Sequence, residues 1–203
     1  MKILIDNGHG AETNGKRSPD SRIREWQWNR IVAKKVLDKL NAEGLDAELV
    51  TPEDFDVTIS KRVTRINDVC RKLGSQNVLL VSIHIHADGL GDQWTKQNGC
   101  SVFVSKNAGS KSKAVAKIFT QLYGEKGLLG DRSVPTCGYW TWSWTSADIG
   151  ILRSSYCPAV LTENMFMTNM ADVNFLASEA GKEKIANLHV EAIKRAKKEV
   201  FGQ

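Results

Sequence analysis

The order of short apolar runs and amphipathic segments along the chain is the feature that most constrains its fold. Runs typical of buried strands stand at residues 3–5, 78–83 and 159–161. Segments with apolar residues at three- and four-residue steps separate these runs. Such an alternation is typical of an α/β fold with a mainly parallel sheet and helices on both faces.

The periodicity predicts the individual elements. Further strands are expected at residues 47–50, 99–105 and 149–152, and helices at about 23–43, 58–73, 111–123, 172–177 and 182–201. The inward face of the first helix is predicted to include Ile31. The inward face of the second is predicted to consist of Ile59, Val63, Ile66, Val69, Cys70 and Leu73.

Length and composition indicate one compact domain. The chain has 203 residues, of which 41% are hydrophobic, and residues 1–203 show no linker or repeat. The net charge of +5 is not concentrated in a known basic motif, so no nucleic-acid binding is expected. No segment approaches the roughly 18 apolar residues of a membrane helix, so no membrane insertion is expected.

The N-terminus runs directly into a strand and lacks the pattern of a secretory signal peptide. We therefore expect a chain that is made in the cytoplasm and released by another route, or one whose signal has been removed.

The cysteines Cys70, Cys100 and Cys157 lie in apolar runs and are interpreted as small buried hydrophobic residues. A cysteine nucleophile at Cys137 or Cys157 remains an alternative.

Polar side chains follow several predicted strands. His9 follows the first strand, His84 and His86 follow the run at 78–83, and Glu163 follows the run at 159–161. Ligands bind outside the carboxyl ends of strands in open α/β sheets, and Glu25 could reach that edge from the start of the first helix. Each residue also has a structural explanation, such as a first-turn acid for Glu25.

Together these residues favour a metal site. Two histidines and one carboxylate are a common ligand set for catalytic zinc and leave a fourth position open. A further carboxylate beside the metal can act as a general base on water.

Four motifs resemble those of zinc-dependent N-acetylmuramoyl-L-alanine amidases of the amidase-3 family, which occur in bacterial autolysins and phage endolysins. They are IDNGHG at 5–10, EWQWN at 25–29, SIH at 82–84, and LTENMF at 161–166 followed by Thr168-Asn169. The resemblance spans nearly the whole chain. It implies a mixed, mostly parallel sheet of about six strands, one Zn²⁺ bound by His9, Glu25 and His84, and Glu163 as the catalytic carboxylate.

The resemblance also implies the reaction and the substrate. The family hydrolyses the amide between N-acetylmuramic acid and L-alanine in peptidoglycan, so we expect a muramyl peptide as the partner. The expected place of action is the cell wall, in the periplasm or outside the cell. A monomer is expected.

The chain departs from the family pattern in ways that affect the site. Ala11 stands where a further glycine is usual, and Ile85-His86 replace a small residue and an asparagine. His84 and His86 would point to the same face of a strand, so spacing does not separate them. The motif register favours His84 as the ligand and leaves His86 to contact substrate.

Asn164 and Trp142 are also predicted to contact substrate. Trp142 belongs to an aromatic stretch at 139–144, which is either a loop folded over the core or an aromatic wall for a ligand. Gly8 and Gly10 are expected to keep the approach to the metal free of side chains.

Two other functions stay open at this point. One is a zinc peptidase or deacetylase acting on another amide, since the metal ligands alone do not define the bond. The other is a non-catalytic peptidoglycan-binding domain, which would not need the carboxylate of Glu163.

Overall fold

The computed structural model describes residues 1–89, 91–130 and 145–203, with the backbone alone at 145 and 146. The strands are β1 (Lys2–Asn7), β2 (Ala47–Leu49), β3 (Val78–His86), β4 (Ser101–Ser105), β5 (Thr145–Ala147) and β6 (Ala159–Phe166). The helices are α1 (Glu25–Ala42), α2 (Ile59–Leu73), α3 (Ser110–Glu125), α4 (Gly150–Ser154), α5 (Met170–Ala177) and α6 (Glu179–Glu199). The predicted stretch at 139–144, Trp142 and Cys137 lie outside the described residues.

The strands form one mixed sheet in the order β2-β1-β3-β6-β4-β5. All neighbouring strands pair in parallel except β4 and β6, which are antiparallel. The predicted α/β fold with a mostly parallel sheet is therefore confirmed. The expected count of about six strands includes the short edge segment β5; without β5 the sheet has five.

Helices cover both faces of the sheet, and alternate residues of each strand join different cores. Ile5, Val81 and Val160 belong to the cluster under α1, α3 and α6. Leu4 and Leu80 belong to the cluster under α2 and α4. Strands covered on both faces read as continuous apolar runs, which explains the sequence of β3.

The same alternation determines on which face of the sheet the polar residues lie at the carboxyl ends of the strands. Asp6, Ser82 and His84 follow Leu4 and Leu80 at two-residue steps and so lie on the face of α2 and α4. Glu163 follows Leu161 on the same face. This face therefore carries the candidate catalytic groups at the carboxyl ends of three neighbouring strands.

One element prediction was wrong and one strand was missed. Residues 150–154 form helix α4 instead of a strand at 149–152, and the short strand β5 was not predicted. A short apolar run does not distinguish a strand from a buried helical turn, because it contains too few residues to show a period.

Three residues predicted to lie on the inward faces of α1 and α2 were assigned wrongly. Ile31, Ile59 and Leu73 are exposed. In α2 the polar residues Arg62 and Asn67 are buried in their place.

Among the helices of the described residues, none is both long and apolar enough to cross a membrane.

A buried polar network lies on the face of α3 and α6. Oγ1 of Thr162 is 3.0 Å from Nε2 of His189, and Nδ1 of His189 is 2.9 Å from the carbonyl oxygen of Ile185. The neutral ring satisfies both contacts, since Nδ1 can donate to the carbonyl and Nε2 can accept from the hydroxyl. Burial lowers the pKa of His189 to about 4.

This pKa predicts how stability changes with pH. In the unfolded protein the pKa of His189 is about 6.5. Between pH 6.5 and 4 its side chain is therefore protonated in the unfolded state and neutral in the folded state. The free energy of unfolding should therefore fall as the pH drops through this window, by up to about 1.4 kcal/mol per unit from His189. Urea unfolding at pH 7 and pH 5 should show a smaller fall for His189→Gln than for the wild type. Equal falls in the two proteins would contradict this.

Candidate active site

His9, Glu25 and His84 meet where β1 and β3 end and α1 begins. Nε2 of His9 is 3.3 Å from one carboxylate oxygen of Glu25, and Nδ1 of His84 is 3.0 Å from the other. The three potential ligand atoms lie within 4.8 Å of one another. The predicted ligand set is thus assembled in the structure, and two imidazoles with one carboxylate fit the donor chemistry of zinc.

The end of β1 creates the place that Glu25 fills. Ile83 directs its carbonyl towards β1, where it accepts a hydrogen bond of 3.1 Å from the amide of Gly8. Ile85, two residues later, directs its amide to the same side, beyond the last paired residue of β1. That amide donates to Oε1 of Glu25 at 3.1 Å. The carboxylate therefore satisfies a strand amide and faces both histidines.

The electrostatics keep Glu25 ionised. Burial alone would raise the pKa of its carboxyl group, but the hydrogen bonds with His84 and then His9 outweigh burial and hold the pKa well below its usual range. A buried carboxylate that stays charged between two imidazoles is suited to bind a cation.

Glu163 stands beside this group. It lies opposite His84 in the parallel pairing of β3 and β6. Its Oε2 atom is buried and has no hydrogen-bond partner among the described residues. Burial, and next the negative charge of Glu25, raise the pKa of Glu163 well above its ordinary value. Glu163 is consequently a stronger base than an exposed glutamate.

A β-bulge in β6 follows Glu163. His84 pairs with Glu163 and His86 with Phe166, so β6 has one more residue than β3 in this interval. Met165 absorbs the irregularity with a φ of 68°. Bulges beside active sites change the direction of side chains, and this one separates the surroundings of His84 from those of His86.

His86 lies outside the ligand cluster. Its ring stacks on Phe166 with centroids 4.4 Å apart and an interplanar angle of 7°. The structure brings His84, and not His86, to His9 and Glu25. A contact between His86 and substrate stays a prediction.

The prediction that Asn164 contacts substrate is wrong. Its side chain is fully buried on the face opposite Glu163, because neighbouring residues of a strand point in opposite directions. Nδ2 of Asn164 donates to the carbonyl oxygen of His84 at 2.9 Å, and its Oδ1 accepts from Tyr123 at 2.8 Å. Asn164 thus holds the backbone of a candidate metal ligand.

The open alternative of a cysteine nucleophile at Cys157 is also removed. Cys157 is buried beside Cys70, and burial raises the pKa of the Cys157 thiol well above its ordinary value. The thiolate that a nucleophile requires is therefore not available.

A cavity of about 280 Å³ adjoins the two histidines. His9 and His84 line one side of it. The rest of its lining is mixed and includes the apolar residues Val57, Ile59 and Leu161 together with Asp56, Thr58 and Arg62. Larger cavities of about 330 and 410 Å³ lie at the start of α3 and between β2 and α2, and no candidate ligand lines them.

Comparison with known families identifies the family of the chain. Residues 3–195 match the family described as N-acetylmuramoyl-L-alanine amidase. The chain belongs to this amidase family. The family suggested by the sequence motifs is confirmed.

Relatives of the amidase include two Bacillus subtilis proteins. The chain is 27% identical to the uncharacterized protein YqiI over 94% of this chain and 82% of that protein. It is 27% identical to the N-acetylmuramoyl-L-alanine amidase LytC over 91% of this chain and 33% of LytC, so it spans about a third of LytC. An N-acetylmuramoyl-L-alanine amidase structure from Clostridium difficile 630 shares the fold, with a TM-score of 0.79, 23% identity and coverage of 95% and 94% of the two chains.

Arg62 of the amidase is a residue that the sequence interpretation missed. It is fully buried and lies 2.7 Å from the carboxylate of Asp6, which also accepts a hydrogen bond of 2.5 Å from Ser82. The sequence does indicate that Arg62 faces inward, since it stands next to inward-facing Val63 and one turn before Ile66.

The glycines flanking His9 have a different role from the one expected. A Cβ atom on Gly8 would lie 2.0 to 2.5 Å from three atoms of the His84 ring. A Cβ atom on Gly10 would lie 2.2 Å from the backbone of Asp56. The missing side chains therefore make room for a ligand ring and a neighbouring loop rather than for substrate.

We expect Gly8→Ala to weaken zinc binding by at least about tenfold, because the His84 ring must move away from the added methyl group. Titration against a chromophoric chelator measures this affinity. Gly109→Ala is the matched control, since nothing lies within 4 Å of its added Cβ. Equal zinc affinity in both variants and the wild type would contradict the role assigned to Gly8.

Proposed function

We propose that the protein is a zinc-dependent N-acetylmuramoyl-L-alanine amidase that hydrolyses the amide between N-acetylmuramic acid and L-alanine in peptidoglycan. The observation that carries this proposal is the cluster of His9, Glu25 and His84 beside Glu163, whose buried Oε2 atom has no hydrogen-bond partner among the described residues. Membership in the amidase family supports a peptidoglycan amide as the substrate.

His9, Glu25 and His84 would hold the zinc ion. Three protein ligands leave a fourth coordination position, which is the usual arrangement of catalytic zinc sites. Bound zinc supplies Lewis-acid chemistry, because it polarises a carbonyl group and lowers the pKa of water.

Glu163 would transfer the proton. Its carboxylate would accept a proton from the attacking water and deliver it to the nitrogen of the leaving L-alanine as the amide bond breaks. A general base works best with a pKa close to the operating pH. The burial of Glu163 moves its pKa in that direction.

The cavity beside His9 and His84 gives a substrate access to these two candidate ligands. In this proposal residues 1–203 are one catalytic domain that acts as a monomer on the cell wall.

The two alternative functions are less well supported. A peptidase or deacetylase could use the same ligands, but the family match over residues 3–195 favours the muramyl amide. A non-catalytic binding domain would gain nothing from a buried carboxylate oxygen that has no hydrogen-bond partner among the described residues, since such burial carries a free-energy cost.

The bond that is cut decides between these functions. Mass spectrometry of peptidoglycan digested with the zinc-loaded protein should show glycan strands with free lactyl carboxyl groups and stem peptides with a free L-alanine amino terminus. Cleavage within the stem peptide or loss of acetyl groups would contradict the proposed reaction, and unchanged peptidoglycan would favour the binding domain.

We expect Glu163→Gln to bind zinc with at least wild-type affinity and to lose about a hundredfold or more of its turnover, since the amide cannot accept the proton of water. Zinc content and release of L-alanine amino groups are the two measurements. The exposed carboxylate of Glu125, at the end of α3, offers a control in Glu125→Gln, which should behave as the wild type. Full activity of Glu163→Gln would remove Glu163 from the mechanism.

A further inference from the structure

His9 has an unusual backbone conformation. Its φ of 66° lies in the left-handed region, which residues other than glycine seldom adopt. Such a conformation persists only when the surroundings enforce it. The direction of the His9 imidazole towards Glu25 depends on this conformation, because φ and ψ fix the direction of the Cα–Cβ bond relative to β1.

Two arginines hold the carbonyl group of His9. Nη2 of Arg62 donates to the carbonyl oxygen at 2.9 Å, and Nη2 of Arg30 donates to it at 3.1 Å. They approach from different helices, α2 and α1. A peptide rotation that released the left-handed conformation would break both hydrogen bonds.

The guanidinium group of Arg62 is itself fixed. Nε donates to the carbonyl oxygen of Val57 at 2.7 Å, and Nη1 donates to the carboxylate of Asp6 at 2.7 Å and to the carbonyl oxygen of Asn7 at 2.9 Å. The side chain is 2% exposed, so it has no freedom to leave these partners. Arg62 therefore links the last residues of β1 to the carbonyl group of His9 through one rigid plane.

Arg30 is held in a similar way from the opposite side. Nε and Nη2 donate to the carbonyl oxygen of Glu53 at 3.0 and 2.8 Å. Its guanidinium carbon lies 5.4 Å from the centre of the Trp26 ring. Arg30 is less buried than Arg62 and does not take part in the ion pair with Asp6.

We propose that Arg62, supported by Arg30, is a positioning residue for the metal site, because it holds His9 in the left-handed conformation that turns its imidazole towards Glu25 and His84. This inference rests on the proposed function, in which His9 binds zinc. It assigns to these arginines an effect on metal affinity in addition to their effect on stability.

The alternative is a purely structural role in which Arg62 neutralises buried Asp6. That role requires only Nη1, whereas Nη2 donates to the carbonyl oxygen of His9 at 2.9 Å and lies farther, at 3.5 Å, from the carboxylate of Asp56. Lysine preserves the charge opposite Asp6 but cannot reproduce the planar fork that reaches several acceptors at once. Arg62→Lys therefore separates the two roles.

The experiment compares the zinc affinity of folded Arg62→Lys, Arg30→Lys and wild-type protein by competition with a chromophoric chelator. Urea unfolding of the zinc-free proteins measures stability in parallel. Arg65→Lys is the matched control, because Arg65 lies in the same helix and binds Glu53 and the carbonyl oxygen of Val50 instead of His9. Loss of groups that orient a metal ligand typically weakens affinity by about 10- to 100-fold.

We expect a loss in that range for Arg62→Lys, a smaller loss of at least about threefold for Arg30→Lys, and no change for Arg65→Lys. Affinities within twofold of the wild type in both Arg62→Lys and Arg30→Lys, even with lower stability, would overturn the inference. If Arg62→Lys does not fold, Arg30→Lys decides, since it leaves the ion pair with Asp6 intact. A wild-type protein that binds no zinc would instead contradict the proposed function and this inference with it.

Discussion

The carboxylate of Glu25, buried between His9 and His84, is the contact on which the arrangement of the site depends. It joins the start of α1 to the ends of β1 and β3, and it accepts a hydrogen bond from a strand amide that β1 no longer covers. A buried charge is tolerated only when it is paired and hydrogen-bonded. The two imidazoles meet this requirement in the described structure, and a metal cation would meet it more strongly.

The same carboxylate helps to define the role of Glu163. Two glutamates lie in one site, but their surroundings move their pKa values in opposite directions, with Glu25 lowered and Glu163 raised. Such a separation is a common sign that two carboxyl groups have different functions. Here the two pKa shifts agree with the two proposed roles, in which Glu25 remains a charged ligand and Glu163 exchanges a proton.

Residues on both faces of the sheet fix the position of the candidate ligands. One face presents Glu163 beside His84, and the other buries Asn164, whose amide binds the backbone of His84. On the first face Arg62 also reaches from α2 to the end of β1. The groups around the candidate ligands are thus rigid elements of the core, as a preorganised site requires.

Much of the fold and the four central residues could be predicted from the sequence. Apolar strands that end in His9, His84 and Glu163 must bring these residues to one edge if the sheet is parallel, and the motif register separated His84 from His86. Strand alternation also predicts that Asn164 lies on the face opposite Glu163, whereas its position in the LTENMF motif does not indicate the direction of its side chain. The role of Arg62 was missed because helical periodicity treats charged residues as outward-facing, although a buried ion pair can reverse this rule.

The β-bulge after Glu163 and the left-handed conformation of His9 have no clear local signal, since both arise from contacts between distant segments. The same is true of helix α4, whose apolar residues fit either a strand or a helix until α2 packs against them.

The most direct test of the metal centre is an anomalous-difference map at the zinc absorption edge, from crystals of the zinc-reconstituted protein. A single peak is expected within about 2.0 to 2.2 Å of one nitrogen of His9, one nitrogen of His84 and the carboxylate of Glu25. Glu163 should be close to the peak without binding it. A peak coordinated by His86, or no peak near His9, would contradict the assignment of the metal site.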